Sequence, residues 1–160
     1  MPLYSNPDPP VSEPRFGTIL DRIDIGVEVP RQDLGMMAAE KSIDEGSFPQ
    51  TEQRNSSAVM RARVMEARAR QEKRFADESI SYNSQMTRRQ IEEYCRLSGE
   101  DAVFLEKVER QQGISARGHG KILKVARTLA DLDGQAEIGR TQLAEAIGFR
   151  SFEKKYWGNL

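Results

Sequence analysis

A chain of 160 residues with 24 Lys and Arg against 25 Asp and Glu carries a net charge of -1, which excludes nucleic-acid binding through bulk charge and leaves room for a local basic face. Charged residues make up 31% and hydrophobic ones 38%, enough for one modest core with solvated ends. A single cysteine, Cys95, excludes a disulfide framework, and with a single histidine, His119, it cannot build the usual zinc site.

Residues 1–15 hold five prolines and little apolar content, so they are expected to form a disordered tail. They lack a basic n-region and an apolar h-region, and no apolar run approaches the roughly 20 residues that span a bilayer. A soluble, cytoplasmic protein without a membrane partner is expected, and the lone thiol fits a reducing compartment.

Residues 16–30, FGTILDRIDIGVEVP, follow. Ile25, Val27 and Val29 alternate with Gly26 and Glu28 and stop at Pro30, the period-two pattern of a strand with one buried face. A lone strand leaves backbone donors and acceptors unpaired, so its partner lies either in residues 31–55 or outside this chain. Residues 31–55 show no sustained period and are expected to form a long loop.

From Ser56 onward the pattern is helical. Asn55 or Ser56 caps a first helix with Met60, Val64, Ala67 and Phe75 near one face. Its other faces carry Arg61, Arg63, Arg68, Arg70, Lys73 and Arg74 against Glu66 and Glu72. Thr87 and Gln90 form a capping box for a second helix that presents Ile91, Tyr94, Cys95 and Leu97. A third runs from Ser98 through Val103, Phe104, Leu105 and Val108 to Gly113. The fourth is the clearest: Ser115 caps it, and Ile122, Leu123, Val125, Ala126, Leu129, Ala130 and Leu132 recur at helical spacing before Asp133-Gly134. Arg117, Lys121, Lys124, Thr128 and Asp131 form its opposite stripe. A fifth, over about residues 140–150, offers Leu143, Ala146 and Ile147, with Phe149, Phe152, Tyr156 and Trp157 extending the contact. The fold class is mainly α, a helical bundle over 56–160 preceded by a short β element.

The chemistry offered by these residues alone is thin. There is no phosphate-binding G-x-x-x-x-G-K-[ST] loop, no dinucleotide fingerprint, and no catalytic triad or paired-carboxylate constellation. His119, between Gly118 and Gly120, has no second ligand at metal spacing and suits a surface or capping role.

Five segments in order, LDRIDIGVEVP, the arginine-rich helix, NSQMTRRQIEEYCRL, ISARGHGKILKVARTLADLDG and QLAEAIGFRS, resemble the carboxyl-terminal part of magnesium-chelatase-like AAA+ ATPases of the ComM/YifB type. The resemblance covers about residues 17–152 and implies that 16–30 is the end of an AAA+ core and 56–160 its helical lid. It places Arg22 at the position of a finger-like catalytic arginine that reaches the γ-phosphate held by a neighbouring subunit. A fixed guanidinium there neutralises charge on the transferring phosphoryl group. The local alternative is an exposed ion pair with Asp21 or Asp24. The resemblance likewise makes Arg117 a sensor-2 arginine that binds nucleotide from the start of a lid helix, where N–H groups already favour anions. Its alternative is a solvated charge, since Gly118 and Gly120 each weaken the first two turns by about 1 kcal/mol. Arg127 is assigned to packing or ion pairing.

Walker A and Walker B motifs are missing, and Arg15 to Ile19 replaces the family's Ser-Gly-Pro. ATP and Mg are therefore expected to act through a core supplied by other subunits or a full-length homologue in a ring that remodels DNA, and the isolated chain is expected to lack ATPase activity. Two other readings stand beside this one. The chain is a non-enzymatic helical module contacting nucleic acid through Arg61, Arg63, Arg68, Arg70 and Arg74, or a regulatory fragment that joins rings of a relative.

Overall fold

The computed structural model describes residues 22–29 and 56–157, with side chains described up to residue 150. The expected tail over 1–15, the loop over 31–55 and the contacts of Phe152, Tyr156 and Trp157 lie outside the described part. Among the described residues the secondary structure is helical: α1 (Ser57–Arg74), a 3₁₀ turn (Asn83–Gln85), α2 (Arg88–Tyr94), α3 (Gly99–Gln112), α4 (Ala116–Leu132) and α5 (Arg140–Trp157).

Local chemistry sets the starts of the first four helices. The hydroxyls of Ser56, Thr87, Ser98 and Ser115 each accept a hydrogen bond from a backbone N–H in the first turn, satisfying donors that have no intrahelical partner. At Thr87 the Gln90 side chain reaches back to the cap N–H at 2.8 Å and completes the box. α3 ends at Gly113, whose φ of 68° is the left-handed conformation that glycine adopts without a Cβ penalty. α5 continues to Trp157, seven residues past the end expected from its apolar pattern.

α4 is the axis of the bundle and packs against α1, the 3₁₀ turn, α2 and α5. Ile122, Leu123, Ala126 and Ala130 from α4 meet Leu143, Ala146 and Ile147 from α5, with Leu105, Phe75, Met86, Cys95 and Ile138 closing the core. Phe75 and Tyr94 pack edge to face with centroids 5.4 Å apart. Burial pushes the Cys95 thiol up to about 11 because its thiolate would lose solvation.

Two expectations are corrected. Residues 25–29 form no strand, and Ile25, Val27 and Val29 are exposed rather than buried on one face. Period-two burial needs a sheet, and no partner strand exists among the described residues. Instead the Gly26 N–H donates to the Phe149 carbonyl oxygen of α5 at 3.0 Å. On α1, Ala67 and Phe75 at its carboxyl-terminal side are buried, whereas Met60 and Val64 are exposed, since packing begins only in the later turns.

The stripe of α4 opposite its apolar face is engaged along most of its length. Asp131 is fully buried, and its carboxylate accepts from Arg74 Nη1 and Asn83 Nδ2, both at 2.8 Å, while Arg127 Nη2 lies 3.1 Å away. Thr128 accepts from Asn83, and the Lys124 ammonium donates to the Ser84 carbonyl at 2.9 Å. Arg127 behaves as expected: it is buried, ion-paired to Asp131, and donates to the Ala136 and Gln135 carbonyls at 2.8 and 2.7 Å.

Three outcomes follow from this packing. Asp131→Ala leaves buried guanidinium groups without their counter-charge and is expected to lower unfolding free energy by about 3–5 kcal/mol, measured by urea titration. A Cβ at Gly118 would stand 2.7 Å from Ile114 Cγ2. Gly118→Ala is therefore expected to destabilise by about 1–2 kcal/mol despite its better helix propensity, with part recovered when Ile114 is also shortened to Ala. The native Cys95 thiol is expected to resist alkylation at pH 8 and to show a reactivity midpoint near 11. Urea-unfolded chain reacts with a midpoint near the ordinary thiol value of about 9.

Candidate functional site

The start of α4 and the middle of α5 jointly hold the segment that carries Arg22. Lys121 Nζ lies 2.7 Å from Asp24 Oδ1 and donates to the Ile23 carbonyl at 3.4 Å. Arg150 Nη1 donates to the same carbonyl at 3.2 Å, and the Gly26 bond to Phe149 fixes the segment three residues later. Lys121 is one helical turn beyond Arg117, so the two arginines singled out in the sequence belong to one corner of the bundle although 95 residues separate them in the chain.

Both side chains are exposed at that corner. The ion pair of Asp24 is with Lys121, which answers for one of the two local partners considered for Arg22, while Asp21 lies outside the described residues. Arg117 is the second residue of α4, and the Ser115 hydroxyl accepts from the Gly118 N–H at 3.1 Å. An arginine there adds a solvent-exposed cation to a helix end whose dipole already favours negative charge. Gly118, which looks like a weak point in the sequence, is buried against Ile114 and near the Arg150 guanidinium. Its missing side chain lets Ile114, in the link between α3 and α4, pack against the first turn of α4.

Beside this corner lies an open groove of about 1140 Å³ between α2, α3 and α4. Its apolar side includes Met86, Ile91, Cys95, Leu97 and Leu123, and its polar side includes Arg88, Glu92, Arg117, His119, Lys121 and Lys124. His119 Nδ1 is 2.7 Å from Glu109 Oε1, a contact that ties the start of α4 to α3. Arg88 is paired along its own helix with Glu92 at 3.1 Å.

The arginines of α1 are placed differently from one another. Arg74 is bidentate to Asp131 and also donates to Asn83 Oδ1 at 3.0 Å. Arg70 donates to the Asp131 carbonyl at 3.1 Å. Arg68 stacks 5.2 Å from the Tyr82 ring centroid, Arg63 is 3.7 Å from Asp133, and Arg61 is exposed. Arg70 and Arg74 thus face the bundle, while Arg61, Arg63 and Arg68 face solvent.

The described residues contain no group of three or more His, Cys, Asp or Glu that could hold a metal ion. What they offer at the Arg22–Arg117 corner is positive charge suited to phosphate oxygens. No helix among the described residues is long and apolar enough to cross a membrane. Lys121 and Arg150, which secure the corner, were not singled out by sequence. Lys121 reads there as one charge in a stripe, and Arg150 carries no local signal for a carbonyl 127 residues away.

Comparison with known proteins places this geometry in a family. The family model described as magnesium chelatase, subunit ChlI C-terminal, matches residues 54–150. Competence protein ComM of Haemophilus influenzae is 37% identical over 136 residues, covering 84% of this chain and 24% of that protein. YifB of Escherichia coli is 36% identical over 138 residues, covering 86% of this chain and 24% of its own length. A protein of Mycobacterium bovis, Mb2921c, is 28% identical over 134 residues, covering 84% and 24%. The chain spans about a quarter of the length of these relatives. The match covers the bundle from just before α1 to Arg150 in α5, and the chain belongs to the magnesium chelatase ChlI C-terminal family, in its ComM/YifB-like branch.

Proposed function

We propose that this chain supplies the lid and finger region of a magnesium-chelatase-like ATPase ring, with Arg22 and Arg117 directed at nucleotide phosphates held by a core outside the described residues. The observation that carries this is the docking of Ile23 and Asp24 onto Lys121, which brings Arg22 to the helix start that bears Arg117. Two exposed guanidinium groups offer donors that match the oxygens of a polyphosphate. In this assignment Arg22 neutralises charge that develops on the transferred phosphoryl oxygens. Arg117 binds a phosphate already present in the ground state. In this proposal magnesium belongs to the phosphate-binding core, bound through the nucleotide phosphates.

The ring acts on DNA in this proposal, in keeping with the ComM-like relationship, and one relative bears the name competence protein. Direct DNA contact by α1 has weaker support. Arg70 and Arg74 are committed to Asp131, and no aromatic side chain stands among the arginines of the helix for base stacking.

ATP hydrolysis by the purified chain, alone and mixed with a full-length ComM-type relative, tests the proposal. The chain alone is expected to be inert, and added to the relative it is expected to alter turnover. Arg22→Ala is expected to abolish that effect, on the scale of the 10³-fold or larger contributions of such fingers, and Arg117→Ala to weaken nucleotide binding. Arginine-dependent hydrolysis by the chain alone, or no effect in the mixture, would overturn it.

A further inference from the structure

Nothing in the chemistry of a finger or sensor arginine requires the two to be mechanically joined, yet here they are. We infer that Lys121 and Arg150 are positioning residues that clamp the Arg22 segment to α4 and α5, so that Arg22 and Arg117 are presented as one rigid unit; this rests on the proposed role of Arg22.

The Ile23 carbonyl, immediately after Arg22, accepts from two cations of different helices, Lys121 of α4 at 3.4 Å and Arg150 of α5 at 3.2 Å. Hydrogen bonds with a charged partner are stronger than neutral ones, and two on one oxygen fix the peptide plane from which the Arg22 side chain leaves. Lys121 adds an ion pair to Asp24 at 2.7 Å, with its own side chain 17% exposed and that of Asp24 in solvent. The Gly26 to Phe149 backbone bond holds the segment farther along, one residue before Arg150 in α5. Every one of these anchors belongs to α4 or α5, and the segment's own apolar side chains contribute little, since Ile23, Ile25, Val27 and Val29 are 46%, 51%, 64% and 85% exposed.

The attachment is therefore polar and local. Removing it should release the segment and leave the bundle standing, because Ile122, Leu123, Leu143 and Ala146 pack independently of it. A displacement of the start of α4, caused by a phosphate on Arg117, would be passed to Arg22 through one turn of helix and one ammonium group. Coupling of this kind asks for a contiguous contact between the two sites, and Lys121 is that contact.

Amide hydrogen exchange on the intact chain tests the clamp directly. Lys121→Met is expected to raise exchange of the Gly26 amide by about tenfold or more while the α4 and α5 amides stay protected, and Lys121→Arg to restore protection. Asp24→Asn, at a side chain 55% exposed, cannot unfold the bundle and is expected to give a smaller increase. Unchanged exchange in both Lys121→Met and Asp24→Asn would overturn the clamp. In the mixture with a full-length relative, Lys121→Met is expected to reduce turnover to the level of Arg22→Ala, to add nothing in the double variant, and to be rescued by Lys121→Arg. Released exchange with undiminished Arg22-dependent turnover would overturn the positioning role. If Arg22→Ala itself leaves turnover unchanged, the finger assignment fails, and the exchange result still decides whether the clamp exists.

Discussion

The fold turns on a single buried carboxylate. Asp131 has no solvent contact and receives Arg74 from α1, Asn83 from the 3₁₀ turn and Arg127 from its own helix. A charge in that position is tolerated only when its lone pairs are filled, and here three donors from separate elements fill them. The same guanidinium of Arg127 continues to the Ala136 and Gln135 carbonyls and fixes the turn into α5. Burial lowers the affinity of Arg127 for its proton, and Asp131 opposes that effect. Hydrophobic area brings α1 and α4 together without specifying their relative rotation, whereas this constellation is satisfied in one register.

That constraint frees the opposite end of α4. With its carboxyl-terminal half fixed to α1 and the 3₁₀ turn, the helix offers its amino-terminal half to a segment from far back in the chain. One polar stripe therefore changes its task along its length. Asp131 and Thr128 hold the bundle, Lys124 caps the 3₁₀ turn, Lys121 holds the Arg22 segment, and Arg117 stands exposed at the end. Membership in the magnesium chelatase ChlI C-terminal family accounts for the bundle, and the proposed phosphate-directed roles lie where that stripe meets solvent.

Glycine use fits this division. Gly118 sits where a side chain would collide with Ile114, so the cost in helix propensity is accepted where the link between α3 and α4 folds against the first turn of α4. Gly134, at φ 72°, lets the chain leave α4, and the Arg70 guanidinium approaches to 3.1 Å of where its Cβ would be. The Arg70 bond to the Asp131 carbonyl therefore shares that turn with a residue that has no side chain.

What the sequence determined by itself is what depends on neighbours within a turn or two. Caps at Ser56, Thr87, Ser98 and Ser115, the stop at Gly113 and the apolar period of α4 are governed by groups at most four residues apart, and they appear where their chemistry puts them. The place of Arg117, second after a serine cap, is legible for the same reason, whereas the phosphate-directed roles of both Arg117 and Arg22 come only from family likeness. Tertiary structure decided the rest. The partners of Asp131 from other elements lie 48 to 61 residues away, and those of Ile23 lie 98 and 127 residues away. No local pattern distinguishes a charge that will be buried by such a partner from one that stays in water. For the same reason the alternation of Ile25, Val27 and Val29 announced a strand: the pattern states a preference for a sheet, and only the surrounding chain determines whether a sheet is there to receive it.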